Sequence, residues 1–354
     1  MKPLHPLTRK LSKHFPMHPS RQEVLSGLIL GAINSSNVHH SSLSQCISSP
    51  TPQSAQRRTE RFFAHESLDM NNYAKAIVEL SGHMNTRFIL CLDRTNWKFG
   101  ESHVNYLVLS WRVNRHISLP LCFVELGKAG NSNTQERQEL MEMFGELYGF
   151  ERIEALMADR EFIGEKWLKY LVRNKVPVYI RFKENMQVPF DSKGPIKLRK
   201  FFEHLKIGGS RLIEKEMYGT TVYFAGTRSV EGELVIVLTT RKMTSRKILK
   251  EYRKRWSIEE LFRKLKSSGF NWESTHMTIS YRLVSLLIIM SFAMFLVYLV
   301  GQKLKIPWKK TLGCPLRSVF RQGLIHLQFL IATSGDRTID LLITLLERNH
   351  RLGD

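Results

Sequence analysis

Residues 252–270 read YRKRWSIEELFRKLKSSGF, six cations with two adjacent glutamates in their midst. If residues 245–268, SRKILKEYRKRWSIEELFRKLKSS, form one helix, each residue advances about 100° around the axis. With Tyr252 at zero, Arg255 falls at about 300°, Glu259 at about 340° and Lys266 at about 320°, so all four share an arc about 60° wide. Ile258, Leu261, Phe262 and Leu265 occupy the adjoining arc and are the expected core contacts. Glu260 falls on the far side and is expected in water, paired with Lys264 four residues on. Glu259 stands at the edge of the buried face, flanked by Arg255, Arg263 and Lys266.

Upstream of this helix the chain alternates strands and helices. RFILCLD (87–93), NYLVLSWRV (105–113) and SLPLCFVEL (118–126) read as three strands at hairpin-like spacing. TQERQELMEMFGELYGF (134–150) reads as a helix with Thr134 as its N-cap, IEALMADREF (153–162) as a strand ending in Asp159, GEKWLKYLVRN (164–174) as a helix and VPVYIRF (176–182) as a strand. Hairpins followed by strand–helix–strand crossovers imply an α/β fold with a mixed sheet flanked by helices. Residues 184–242 interrupt this rhythm with turns and three short strand candidates, RLIEKEM, TTVYFAG and ELVIVLTT, and read as a β-rich insertion.

Asp93 and Asp159 are each expected at a strand end, where a third carboxylate on a neighbouring helix could join them. Three ionised carboxylates cannot share a small site without a cation. Hard oxygen donors with open positions suit Mg²⁺ or Mn²⁺, and a pair of such ions suits displacement at a phosphodiester.

The charge agrees with a polyanionic partner. Lys and Arg number 53 against 32 acids in 354 residues, a net charge of +21, spread along the chain rather than gathered in a tail. Four distant cysteines form no CxxC pair, which argues against a zinc site or a disulfide framework. The N-terminus lacks an apolar signal-peptide core. LVSLLIIMSFAMFLVYLV (283–300) has membrane-spanning composition, but it is the only such segment and two serines interrupt it. It is expected to be a buried helix, with no membrane partner. Residues 1–80 read as a helical region. Ser20 caps EVLSGLILGAINS, SSLSQCI follows, and the arginine-bearing AQRRTERFFA completes the ingredients of a helix-turn-helix unit.

Tyr252, Arg255, Glu259 and Lys266 match the signature Y-(2)-R-(3)-E-(6)-K at every spacing. Over about residues 20–335 the chain thereby resembles the bacterial DDE transposases of the insertion-sequence-4 family. The resemblance implies an RNase H-like catalytic domain, with Asp93, Asp159 and Glu259 as the catalytic and metal-binding triad of a two-metal Mg²⁺ or Mn²⁺ site. It implies that Tyr252, Arg255 and Lys266, with neighbouring Arg263, grip DNA. It further implies cut-and-paste transposition through hairpin ends, double-stranded DNA partners (terminal inverted repeats and target), a homodimer in the synaptic complex, and a cytoplasmic, nucleoid-associated setting.

The corresponding division is a helical DNA-binding domain at 1–80, core at 81–183, insertion at 184–242, core and buried helices at 243–335 and a helical tail at 336–354. One departure concerns the strand ELVIVLTT, which lacks the tryptophan that relatives can stack on a flipped base. Tyr223 or Phe224 could substitute. Glu161, two residues after Asp159, could be a second acid but reads mainly as a surface residue; Trp97, just past Asp93, could line the DNA groove or pack; His276 is weakly placed as a DNA contact. The rival readings are an RNase H-like nuclease without strand transfer and a catalytically silent DNA-binding regulator.

Overall fold

A computed structural model describes residues 5–309, 311 and 313–351, apart from 191–193. Five helices open the chain: α1 His5–Ser12, α2 Pro19–Ser35, α3 His40–Leu43, α4 Pro52–His65 and α5 Met70–Leu80. Helix α2 starts one turn earlier than the apolar run suggests, because Pro19 fits a first helical position. Its cap is His18, whose ring accepts from the Ser20 backbone N–H; Ser20 is not the cap. Helix α4 is closed by a capping box between Thr51 and Ser54.

Strands β1 Phe88–Phe99, β2 Ser102–Arg112 and β3 Ser118–Glu125 form an antiparallel meander. Helix α6 Thr134–Tyr148 follows, capped by Asn133 and Glu136 rather than by Thr134. Then come β4 Ile153–Ala158, α7 Glu165–Arg173 and β5 Val178–Phe182, with β4 parallel to β1 and β5 parallel to β4. The order β3-β2-β1-β4-β5 is the mixed sheet anticipated from the alternation of elements, in the RNase H-like arrangement that the resemblance implied.

The segment after β5 holds a short ladder, β6 Gln187–Val188 with β7 Ile196–Lys197, and three longer strands, β8 Ser210–Met217, β9 Thr220–Arg228 and β10 Leu234–Thr239. These last three are not a detached β unit. Strand β10 pairs antiparallel with β5, and β9 and β8 follow, so one sheet of eight strands runs through core and insertion.

Residues 245–266 are not one continuous helix. They form α8 Ser245–Tyr252 and α9 Trp256–Lys266, separated by a 3₁₀ turn at Arg253–Arg255. Helix α8 lies against β5, β8, β9 and β10, the turn touches β4, and α9 crosses β1, β2 and β3. The broken helix therefore spans the sheet, with its break over the strand that leads to Asp159.

Helix α10 Ser280–Lys303 is the long apolar helix, and 94% of its apolar window is buried inside the fold. Each fully buried Leu, Ile or Phe along it contributes about 1.5–3 kcal/mol. A short ladder, β11 Trp308–Lys309 with β12 Cys314–Pro315, leads to α11 Val319–Thr333 and α12 Gly335–Arg351. Helices α10 and α11 cross at contact distance through Gly301 and Gly323. A Cβ on Gly323 would lie 2.1 Å from the Val297 carbonyl oxygen.

Candidate active site

Leu92 of β1 pairs with Ala158 of β4 in parallel register. The next residues, Asp93 and Asp159, therefore stand side by side on neighbouring strands. Asp93 does not terminate its strand, as the sequence reading had it. Strand β1 continues to Phe99 in partnership with β2, while β4 ends at Ala158, so its pairing with β1 stops at the level of the two aspartates. Each aspartate accepts a hydrogen bond from the next backbone N–H, Arg94 to Asp93 at 2.8 Å and Arg160 to Asp159 at 2.7 Å.

Asp93 and Cys91 lie on the same face of β1, two residues apart. The Cys91 thiol is 3.6 Å from the Ser257 hydroxyl, which fixes the first turn of α9 against the strand. Ile258, Leu261 and Leu265 are buried and Phe262 is partly buried, as the wheel requires. Glu259 thereby faces the aspartates, and Arg255 bridges the gap. Its Nη1 is 3.3 Å from Asp93 Oδ2, and its Nη2 donates to Glu259 Oε1. Burial opposes the Arg255 charge, but Tyr252, Asp159, Glu259 and Asp93 together push its pKa above the ordinary arginine value. The guanidinium also lies 5.9 Å over the Tyr252 ring centroid, a cation–π distance.

Burial, opposed by the Arg94 N–H and the Arg255 charge but aided by the like charges of Glu161 and Asp159, pushes the Asp93 carboxyl up to about 6. Glu161 thus belongs to this electrostatic neighbourhood rather than to an indifferent surface. Its Oε1 is 3.5 Å from Arg94 Nε, and Arg94 also donates to Asn105 and Asn131, both at 3.1 Å. Its place two residues after Asp159 was the signal that made it a candidate second acid. Among the described residues no three His, Cys, Asp or Glu side chains approach closely enough to form a ready metal cluster. Arg255 holds the position between two of the carboxylates. The donors are of the kind a hard cation takes: Asp93, Asp159 and Glu259 are all carboxylates acting on the one Arg255 guanidinium.

The other predicted side chains divide. Lys266 Nζ pairs with Glu273 at 2.6 Å, donates to the Asn96 carbonyl at 3.2 Å and lies over the Trp97 ring. Arg263 does not flank Glu259; it pairs with Glu260 at 2.5 Å. Glu260 itself is not in open water. Its side chain is 32% exposed, against 35% for Glu259, and its second partner is Lys264 at 3.5 Å. The Glu260–Lys264 pair was foreseen; the enclosure was not, because it comes from elements distant in sequence. Trp97 packs on Trp272, and His276 packs between His39 and Phe99. Tyr223 and Phe224 are buried, so neither offers a face to a flipped base. Trp256, immediately after Arg255, is 61% exposed, but it lies on the side of the broken helix that carries Arg253, Glu260 and Lys264.

A family model described as "Transposase DDE domain" matches residues 87–296, more than half of the chain. The chain belongs to that family and is a DDE-type transposase, an enzyme of DNA recombination. The comparison with curated proteins found no match. Among solved structures the chain is similar to a piggyBac transposase in a synaptic complex with hairpin DNA. The TM-score is 0.47 and the identity 11%, over 93% of this chain and 76% of that one.

Proposed function

We propose that Asp93, Asp159 and Glu259 form the catalytic triad of an insertion-sequence transposase of the Y-(2)-R-(3)-E-(6)-K type. The observation that carries this reading is the parallel register Leu92–Ala158, which sets the aspartates side by side while α9 brings Glu259 to the same point. The three carboxylates would hold Mg²⁺ or Mn²⁺, which supplies Lewis acidity at the scissile phosphorus and an activated oxygen nucleophile. Arg255 would then exchange its carboxylate partners for a DNA phosphate, a shift that its planar fork suits.

Water attacks phosphorus, the bond to the 3′ oxygen breaks, and a 3′-hydroxyl and a 5′-phosphate result. That hydroxyl then attacks either the opposite strand, forming a hairpin, or a target phosphodiester, displacing a 3′ oxygen in each case. The substrates would be terminal inverted repeats and target DNA, held in a dimeric synaptic complex. Exposed Arg57 and Arg61 on α4 support DNA contact by the N-terminal helices.

The test is cleavage and joining of end-bearing DNA with Mg²⁺ or Mn²⁺. Asp93→Ala, Asp159→Ala and Glu259→Ala should each abolish product while DNA binding persists. Full activity in any one of them would remove that residue from the triad. Cleavage without joined product in the parent protein would favour a nuclease over a transposase of this type.

A further inference from the structure

The reverse face of α9 borders a separate cavity of about 490 Å³. Residues 253, 260 and 264 face it, whereas 255 and 259 face the aspartates. Arg112 at the end of β2, Arg115 in the following turn, Arg253 in the 3₁₀ turn and Arg317 before α11 all line this cavity. None of these four guanidiniums pairs with a carboxylate among the described residues. Lys264 adds a fifth cation and is only 7% exposed. The one acid in the lining, Glu260, is already shared by Arg263 and Lys264. His116 reports the uncompensated charge. Burial first, then Arg115, Arg112 and Lys264, hold its pKa below the ordinary histidine value.

Like charges gathered in a concave wall repel one another until an anion enters, and guanidinium forks match phosphate oxygens. We propose that this cavity is a second phosphate-binding site, which grips the backbone of a DNA strand on the opposite side of α9 from the three carboxylates. The proposal rests on DNA being the substrate, and adds a contact that the triad and its signature do not include. A strand engaged at both places would cross α9, so the helix would separate a reacting phosphodiester from a held one.

The test uses the full chain carrying Arg115→Ala and Arg317→Ala, both exposed positions, with a thermal melt to verify folding. Fluorescence anisotropy with a labelled generic duplex is followed across a salt series. Two lost phosphate contacts should flatten the log–log salt slope by about 1.8 and weaken binding about tenfold or more at low salt. A control pair, Lys166→Ala with Arg173→Ala on exposed α7 positions, should change the slope by less than half as much. Inorganic phosphate and adenosine monophosphate, titrated calorimetrically, address the alternative source of the anion. Submillimolar binding of either, lost in the double variant while the duplex isotherm stays unchanged, would overturn the strand assignment in favour of a free ligand. An unchanged slope with parent-like DNA binding, or an equal loss in the control pair, would also overturn it. Failure of the parent protein to bind any DNA would instead reject the underlying substrate reading, an outcome distinct from the others.

Discussion

Replacing Asp93 with asparagine should make the metal-free, DNA-free protein more stable near neutrality. The Asp93 carboxyl is raised from 3.8 to about 6, chiefly by burial. Below about pH 3.8 it is protonated in both the folded and the unfolded chain, and there is no penalty. Between about 3.8 and 6 the unfolded chain ionises first, so stability declines as pH rises. Above about pH 6 the folded protein carries the full cost, about 3 kcal/mol. Asparagine keeps the shape and removes the charge. The attraction to Arg255 is already contained in the raised value, so its loss is not a separate deduction. Thermal melts followed by circular dichroism in chelator should place Asp93→Asn roughly 5 °C above the parent at pH 7.5, with the difference shrinking toward zero near pH 4. Manganese should narrow the gap at pH 7.5 by stabilising the parent more than the variant. An Asp93→Asn protein no more stable than the parent at pH 7.5, or one equally displaced at both pH values, would refute this account of the carboxyl's surroundings.

Glu260→Gln should leave Lys264 a buried cation without its counter-ion, at a cost of about 2 kcal/mol measured by urea denaturation. It should spare DNA cleavage, where Glu259→Gln abolishes it. Gly323→Ala would force a Cβ against the Val297 carbonyl oxygen, where a helix crossing cannot give way locally. A loss of about 3 kcal/mol or more is expected in the same measurement. Glu273→Gln should release Lys266 from its 2.6 Å ion pair and steepen the salt dependence of duplex binding by up to about 0.9 in log–log slope.

Much of the site was legible because it rests on local rules. The apolar runs before Asp93 and Asp159 read directly as strands, and the wheel separated Glu259 from Glu260 even though the helix is broken. The reason lies in where the break falls. A 3₁₀ turn advances about 20° more per residue than an α-helix, which rotates Tyr252 relative to Glu259. The residues from Trp256 onward keep their α-helical relation to Ile258, Leu261 and Leu265. What sequence did not reveal is non-local. Strand β10 pairs with β5 across more than fifty residues, so nothing in ELVIVLTT announces that it extends the central sheet. Glu260 is enclosed by side chains from elements distant in sequence that no helical wheel contains. The His18 and Asn133 caps were missed because Ser20 and Thr134 are good capping residues in isolation, and tertiary placement favoured their neighbours.

The register between β1 and β4 has a mechanical corollary. Asp93 lies within β1 and Asp159 directly follows the last paired residue of β4, so the strand ladder sets their spacing. Glu259 is mounted differently, on a helix attached through a three-residue turn and braced at Cys91 and Ser257. The cluster therefore has two members set by strand register and one set by a helix joint. The position of Glu259 relative to the aspartates is set at the Arg253–Arg255 turn and at the Cys91–Ser257 brace.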